Sequence, residues 1–155
     1  MYHKTTAALV FVIVVFFSFG SLKADAAKEG TLEVWKSPSC GCCSKWVSHM
    51  ASNGYKVKVN DVAYDVLMQV KTTAGLVPEL ASCHTAKISG YVIEGHVPVE
   101  DVNHLLRERP DAIGLAVPGM PTGSPGMEYG NEQEPYDVLL VKKGGAVEVF
   151  SRHAQ

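Results

Sequence analysis

Between Thr31 and Lys36 apolar and polar positions alternate, with β-branched and aromatic residues among them. This predicts a strand, ended by Ser37-Pro38-Ser39. Further on, Cys43, Trp46, Val47 and Met50 recur at the spacing of one helical face, and Gly54 suits the C′ end of that helix. Alternation returns over 55–61, so strand, helix and strand predict a right-handed βαβ unit with parallel strands. Val62, Val66, Leu67 and Val70 predict a second helix, closed by Gly75 and Pro78. The stretch 88–97 is β-rich but broken by Gly90 and Gly95, and reads as a small hairpin or irregular strand pair. Pro98 fits N1 of a third helix, with Glu100 and Asp101 in its first turn, Arg107 and Arg109 in its last, and Pro110 as its stop. No periodicity survives from 118 to 130, where Pro118-Gly119-Met120 is echoed by Pro125-Gly126-Met127. A β-hairpin over 136–150, turning at Lys142-Lys143-Gly144-Gly145, ends the pattern.

The first junction of this pattern carries the chemistry. Cys40, Cys42 and Cys43 stand between the first strand and the first helix, at a helix N-terminus whose unpaired N–H groups and dipole favour thiolates. Cys40 and Cys43 have the C-x-x-C spacing of a redox turn, with Cys40 as the exposed nucleophile and Cys43 as the resolving thiol. Cys42 is surplus to a dithiol exchanger, and points instead to metal. The order of elements is that of an α/β, thioredoxin-like domain with a C-terminal loop and hairpin extension. In that fold a proline precedes the third core strand and faces the redox turn; Pro121 is the candidate, its cis or trans state left open by the sequence.

Composition adds a compartment. Lys4 is the only early charge, the run 7–19 is apolar, and Ala24-Asp25-Ala26 offers a small-residue cleavage site. Residues 1–26 therefore read as a secretory signal peptide, the rival reading being a retained membrane anchor. The remainder, 27–155, is enough for one domain with a core, and no stable membrane insertion is expected of it. With a formal charge of −2 and no basic run, nucleic acid is excluded as a natural partner. All 4 cysteines lie beyond the signal, so the plain alternative is a pair of structural disulfides. The adjacency of Cys42 and Cys43 argues against a simple staple.

Cys40, Cys42, Cys43 and Cys83 together form a candidate all-sulfur site. Thiolates select Cu(I), zinc or iron–sulfur clusters, and thioethers shift the choice towards Cu(I). Met120 and Met127 sit in the aperiodic loop, either as ligands or as plugs beneath it. His84, next to Cys83, and His96, at a strand end, are further candidate ligands; each reads equally as a loop residue. His49 lies about 10 Å of helix rise from Cys42 and cannot share its metal. His104 falls on the polar side of the third helix, and His153 on a tail that folds back or frays. Paired zinc knuckles, phosphate loops, carboxylate pairs and serine elbows have no match in the sequence.

Cys40-Gly41-Cys42-Cys43 with Trp46, Ser82-Cys83-His84-Thr85, the stretch from Gly90 to Pro98, and Gly114-Leu115-Ala116-Val117-Pro118-Gly119-Met120-Pro121 with Gly123-Ser124-Pro125-Gly126-Met127-Glu128 resemble the CopG-like periplasmic copper-resistance proteins. That family was long described only as a domain of unknown function and is unrelated to the plasmid repressors of the same name. The resemblance runs from about Leu32 to the final hairpin. It implies a thioredoxin-like domain with a C-terminal extension, copper as cofactor in a cluster bridged by cysteine sulfurs, a periplasmic role in copper resistance, and interconversion of Cu(I) and Cu(II). The implied partners are copper ions and periplasmic copper-export or oxidase components. The site residues carried over are Cys40, Cys42, Cys43 and Cys83, with His84, His96, Met120, Met127 and His153 as candidates to complete it. Two further readings remain open: a thiol-disulfide oxidoreductase using Cys40 and Cys43, and a passive copper chaperone or store.

Overall fold

The computed structural model describes residues 30–153, so the signal peptide expected over 1–26 lies outside the described residues. β1 (Thr31–Lys36), α1 (Gly41–Ser52) and β2 (Lys56–Asp61) form the expected unit, with β1 and β2 parallel. α2 (Tyr64–Thr73) and a single 3-10 turn (Pro78–Leu80) lead to β3 (His84–Ile88), which turns tightly into β4 (Tyr91–Glu94). α3 (Val99–Glu108), β5 (Ala112–Ala116), β6 (Tyr136–Lys142) and β7 (Val147–His153) complete the order. One seven-stranded sheet runs β2-β1-β3-β4-β5-β6-β7, so the α/β class is observed.

The alternation in β1 works as its pattern requires. Leu32, Val34 and Lys36 point into the protein while their neighbours are half-buried. Leu32 and Val34 pack with Trp46 and Met50 of α1 and with Val102 and Leu105 of α3, and these residues join the main core. Each large side chain fully buried there, such as Leu32, Met50 or Ile93, contributes roughly 1.5–3 kcal/mol. Trp46 adds a polar tether, its indole N–H donating to the Val97 carbonyl at 2.9 Å.

Several elements depart from the pattern. The hairpin expected within 88–97 spans β3 and β4 instead, beginning at His84, because β3 pairs antiparallel with β1 as well as with β4. β5 was not expected at all: Gly114 breaks its alternation, yet a Cβ there would overlap the Val92 carbonyl, so only glycine lets β5 lie against β4. Pro98 is the N-cap of α3 and not N1, while Arg109 closes the helix with φ 48°, ψ 49°. In α2, Val62 lies before the helix and Val66 is 40% exposed; Leu67 and Lys71 form the buried side. Pro121 is neither cis nor next to a core strand: no cis peptide occurs among the described residues, and Ser82-Cys83 is the segment that precedes β3. The sulfur of Cys83 thus stands where a proline was expected.

Because the Gly114 position admits no side chain, Gly114→Ala should destabilise the protein by roughly 1–3 kcal/mol, read as a lower urea midpoint with unchanged slope. A wild-type midpoint would contradict the close approach of β5 to β4.

Candidate metal centre

Cys40 is the N-cap of α1, in extended conformation, and its Sγ accepts the Cys43 N–H at 3.3 Å. A disulfide joins Cys40 to Cys43, while Cys42 and Cys83 are free thiols. The pair of structural staples considered from composition is therefore reduced to one bridge, inside the redox turn. Cys40 is half-buried and Cys43 fully buried, the disposition expected of an attacking and a resolving thiol. Cys42 Sγ lies 3.5 Å from Cys40 Sγ and 4.0 Å from Cys83 Sγ.

Cys83 reaches this turn because β3 runs antiparallel beside β1, with His84 opposite Lys36 at the end where β1 hands over to α1. Its Sγ lies 3.0 Å from His96 Nε2 and 3.5 Å from His84 Nδ1. The His96 Nδ1–H donates to the Pro125 carbonyl at 2.8 Å. In the neutral ring that leaves Nε2 unprotonated and aimed at the sulfur, as a backbone carbonyl fixes the tautomer of many metal-ligating histidines. His84 is fully buried between the rings of Trp46 (centroids 4.4 Å apart) and His96 (5.1 Å), and its Nε2 has no hydrogen-bond partner among the described residues. A buried nitrogen left unpaired in a sulfur-lined site fits a centre completed by a bound ion.

Burial governs the electrostatics here. It pushes the Cys83 thiol up to about 12, with the neighbouring Cys42 sulfur adding to the effect. The same desolvation holds His84 well below the ordinary imidazole range, helped by His96 and Lys71, and lowers His96 against the pull of the Pro125 carbonyl. Both imidazoles are thus neutral donors at neutral pH.

The aperiodic loop covers the centre from the side. Gly126, at φ +90°, lies so close that a Cβ would come within 2.7 Å of the Cys42 carbonyl oxygen and 3.3 Å of His96 Nδ1. Both oxygens of Glu128 accept its N–H at 2.9 Å, holding the turn. Met127 is half-buried in this loop and Met120 is 51% exposed, so Met120 is no core plug. Elsewhere, His104 is half-exposed as expected, its ring 4.7 Å from that of Phe150. His153 neither frays nor reaches the thiols; it ends β7 with Nε2 2.8 Å from Asp101 Oδ2, stacked on Tyr136.

Among the described residues two donor sets emerge, each with its ligand atoms within 4.8 Å of one another: Cys40, Cys42, Cys43 and Cys83, and Cys83, His84 and His96. Cys83 belongs to both. The first is soft and the second mixed, so adjoining donor sets offer sulfur to a soft ion and imidazole to a borderline one. Pattern reading found all of these donors but missed the Pro125 carbonyl and Glu128, whose only signal is their place in a loop rich in glycine and proline.

The arrangement defines a class: an α/β protein with a thiol–imidazole centre at a strand-to-helix turn. A family model described as "Protein of unknown function, DUF411" matches residues 80–127. Two solved structures, "Copper resistance protein copG- Form 1" and "Form 2", are each 42% identical to this chain. The first covers 81% of this chain and 98% of its own at TM-score 0.75. The second covers 81% and 100% at TM-score 0.74. No curated protein matches. The chain belongs to the CopG copper-resistance family, and its cysteine cluster fits copper binding.

Since the thiolate is the reactive form, a Cys83 thiol raised to about 12 should alkylate slowly at pH 8 and gain about tenfold per pH unit above it. Iodoacetamide labelling of metal-free protein, followed by peptide mass spectrometry, reads this; labelling of Cys83 at the rate of an ordinary thiol would contradict the burial.

Proposed function

We propose that this protein acts in the periplasm in copper resistance, holding Cu(I) among Cys40, Cys42, Cys43 and Cys83 and interconverting Cu(I) and Cu(II). The observation that carries the reading is the convergence of four sulfurs from two distant segments on one pocket. A dithiol exchanger needs two of them. The unpartnered His84 Nε2 and the aimed His96 Nε2 support these rings as the remaining ligands, with Met127 and Met120 as thioether donors from the loop. A thioredoxin-like reading of the domain is supported by the first four strands, ordered β2-β1-β3-β4 with β1 and β2 parallel and β3 antiparallel to both neighbours.

Copper is the cargo and substrate. Closing the Cys40–Cys43 bridge is a balanced redox step: the two thiols give up two electrons and two protons as the disulfide forms and two Cu(II) become two Cu(I), and in the reverse direction the disulfide takes up two electrons and two protons as two Cu(I) become two Cu(II). A reductant of the thiol class must then reopen the bridge before the soft site can hold Cu(I) through all four sulfurs. Periplasmic export or oxidase components are the partners that such a cargo implies. Residues 1–26 as a signal peptide, and the tolerance of an exported protein for disulfides, support the compartment.

The bridge also favours a second reading, a thiol-disulfide oxidoreductase working through Cys40 and Cys43 alone. Cys42→Ser separates the two. On the copper reading it abolishes the thiolate-to-copper absorption of the reduced, Cu(I)-loaded protein and lowers retained copper, while disulfide exchange with a small dithiol persists. Unchanged copper content and absorption in this variant would leave the oxidoreductase reading standing.

A further inference from the structure

Behind the centre, on the α2 side of the sheet, lies a buried ion pair that neither the sulfur chemistry nor the copper reading uses. Lys71 Nζ donates to Glu94 Oε1 at 2.5 Å and to Thr85 Oγ1 at 2.9 Å; the two charged side chains are 4% and 0% exposed. The Thr85 hydroxyl donates to Glu94 Oε2 at 2.6 Å, and the Ser82 N–H to Glu94 Oε1 at 2.6 Å. A buried pair of this kind is no efficient source of stability, because an apolar pair of similar volume packs as well or better. What it provides is a fixed acceptor. Ser82 and Thr85 bracket Cys83 and His84, and Glu94 itself precedes His96 by two residues in the chain. The Ser82 N–H lies outside the ladders of β3, which begin at His84, so the carboxylate is what orients the backbone entering Cys83. On the other side, the Ser82 hydroxyl donates to the Gly119 carbonyl and ties the same residue to the loop.

We propose that Glu94, clamped by Lys71, is a positioning residue for this centre, its carboxylate fixing Cys83 against Cys42 by holding the residues on both sides of Cys83 and His84. Lys71 acts one step further back, its ammonium holding the carboxylate in place at a position with no exposed surface. The proposal builds on the copper reading only for its affinity readout; the position of the Cys83 sulfur is measurable without metal. Both residues show in the sequence as charges on apolar patterns, Lys71 one turn after Leu67 and Glu94 at the end of Tyr91-Val92-Ile93.

The test compares wild type with two double variants that remove both buried charges, Lys71→Met with Glu94→Leu and Lys71→Met with Glu94→Gln, each checked for folding by circular dichroism and urea midpoint. In copper-free protein, diamide accepts two electrons and two protons as Cys42 and Cys83 couple, and mass spectrometry follows the rate. The leucine variant, with no acceptor for the Ser82 N–H, should couple on the order of tenfold more slowly. The glutamine variant keeps a carbonyl acceptor and should recover most of the rate. Cu(I) affinity, read by competition with a chromophoric chelator, should fall about 10–100-fold in the leucine variant and far less in the glutamine one. A folded leucine variant that couples Cys42 to Cys83 at the wild-type rate overturns the proposal, whatever its copper affinity. If coupling rates separate as expected but wild type itself retains no Cu(I), the positioning role stands and the copper reading falls. Should the leucine variant not fold, Thr85→Val removes one donor to the same carboxylate, and a wild-type coupling rate in that variant is equally contrary.

Discussion

The antiparallel pairing of β3 with β1 is the constraint on which the rest of this structure depends. It sets His84 opposite Lys36, and so delivers a cysteine 41 positions away in sequence to within 4.0 Å of Cys42. Parallel pairing of β1 with β2 places the start of α1 at the same end of the sheet, where its exposed N–H groups await negative charge. Neither arrangement suffices alone: without β3 the turn is an ordinary C-x-x-C, and without α1 Cys83 is a lone half-buried thiol. The short main-chain segment before β3 consequently bears unusual weight. It is held from one side by the Glu94 carboxylate and from the other by Gly119, and neither hold involves the sheet ladder.

The proposed function gives this site two states. With the Cys40–Cys43 bridge closed, Cys42 and Cys83 remain as thiols beside two neutral imidazoles, a mixed sulfur and nitrogen environment. With the bridge open, four sulfurs share the pocket and the balance shifts to soft ligands. The proposed interconversion of copper valence needs no large motion, since Cys43 is fully buried and only sulfur–sulfur bonding changes. The loop that carries Gly126 packs against His96, which is fully buried, and low exposure strengthens the polar interactions of its ring.

Much of this was legible in the sequence where local rules operate. β1, α1, β2 and the terminal hairpin follow from period and turn residues, and the cysteines announce themselves by spacing. What stayed hidden depends on tertiary neighbours. β5 escaped because Gly114, a residue that weakens strands in isolation, is required by the backbone of Val92. The role given to Pro121 went to Cys83, since only the pairing of β3 reveals which residue precedes the third core strand. Whether the tail at His153 folds back or frays was open in the sequence because its partner Asp101 lies on a different element, in the first turn of α3. The Lys71–Glu94 pair was visible as two charges on apolar faces, but nothing local says that they meet.

The central claim, that copper is held by sulfur from both segments, is tested most directly by X-ray absorption at the copper edge on reduced protein loaded anaerobically with Cu(I). The account predicts a Cu(I) edge and a first shell dominated by sulfur, with sulfur scattering reduced in Cys83→Ser. A first shell of oxygen and nitrogen alone, or one that Cys83→Ser leaves unaltered, would contradict it.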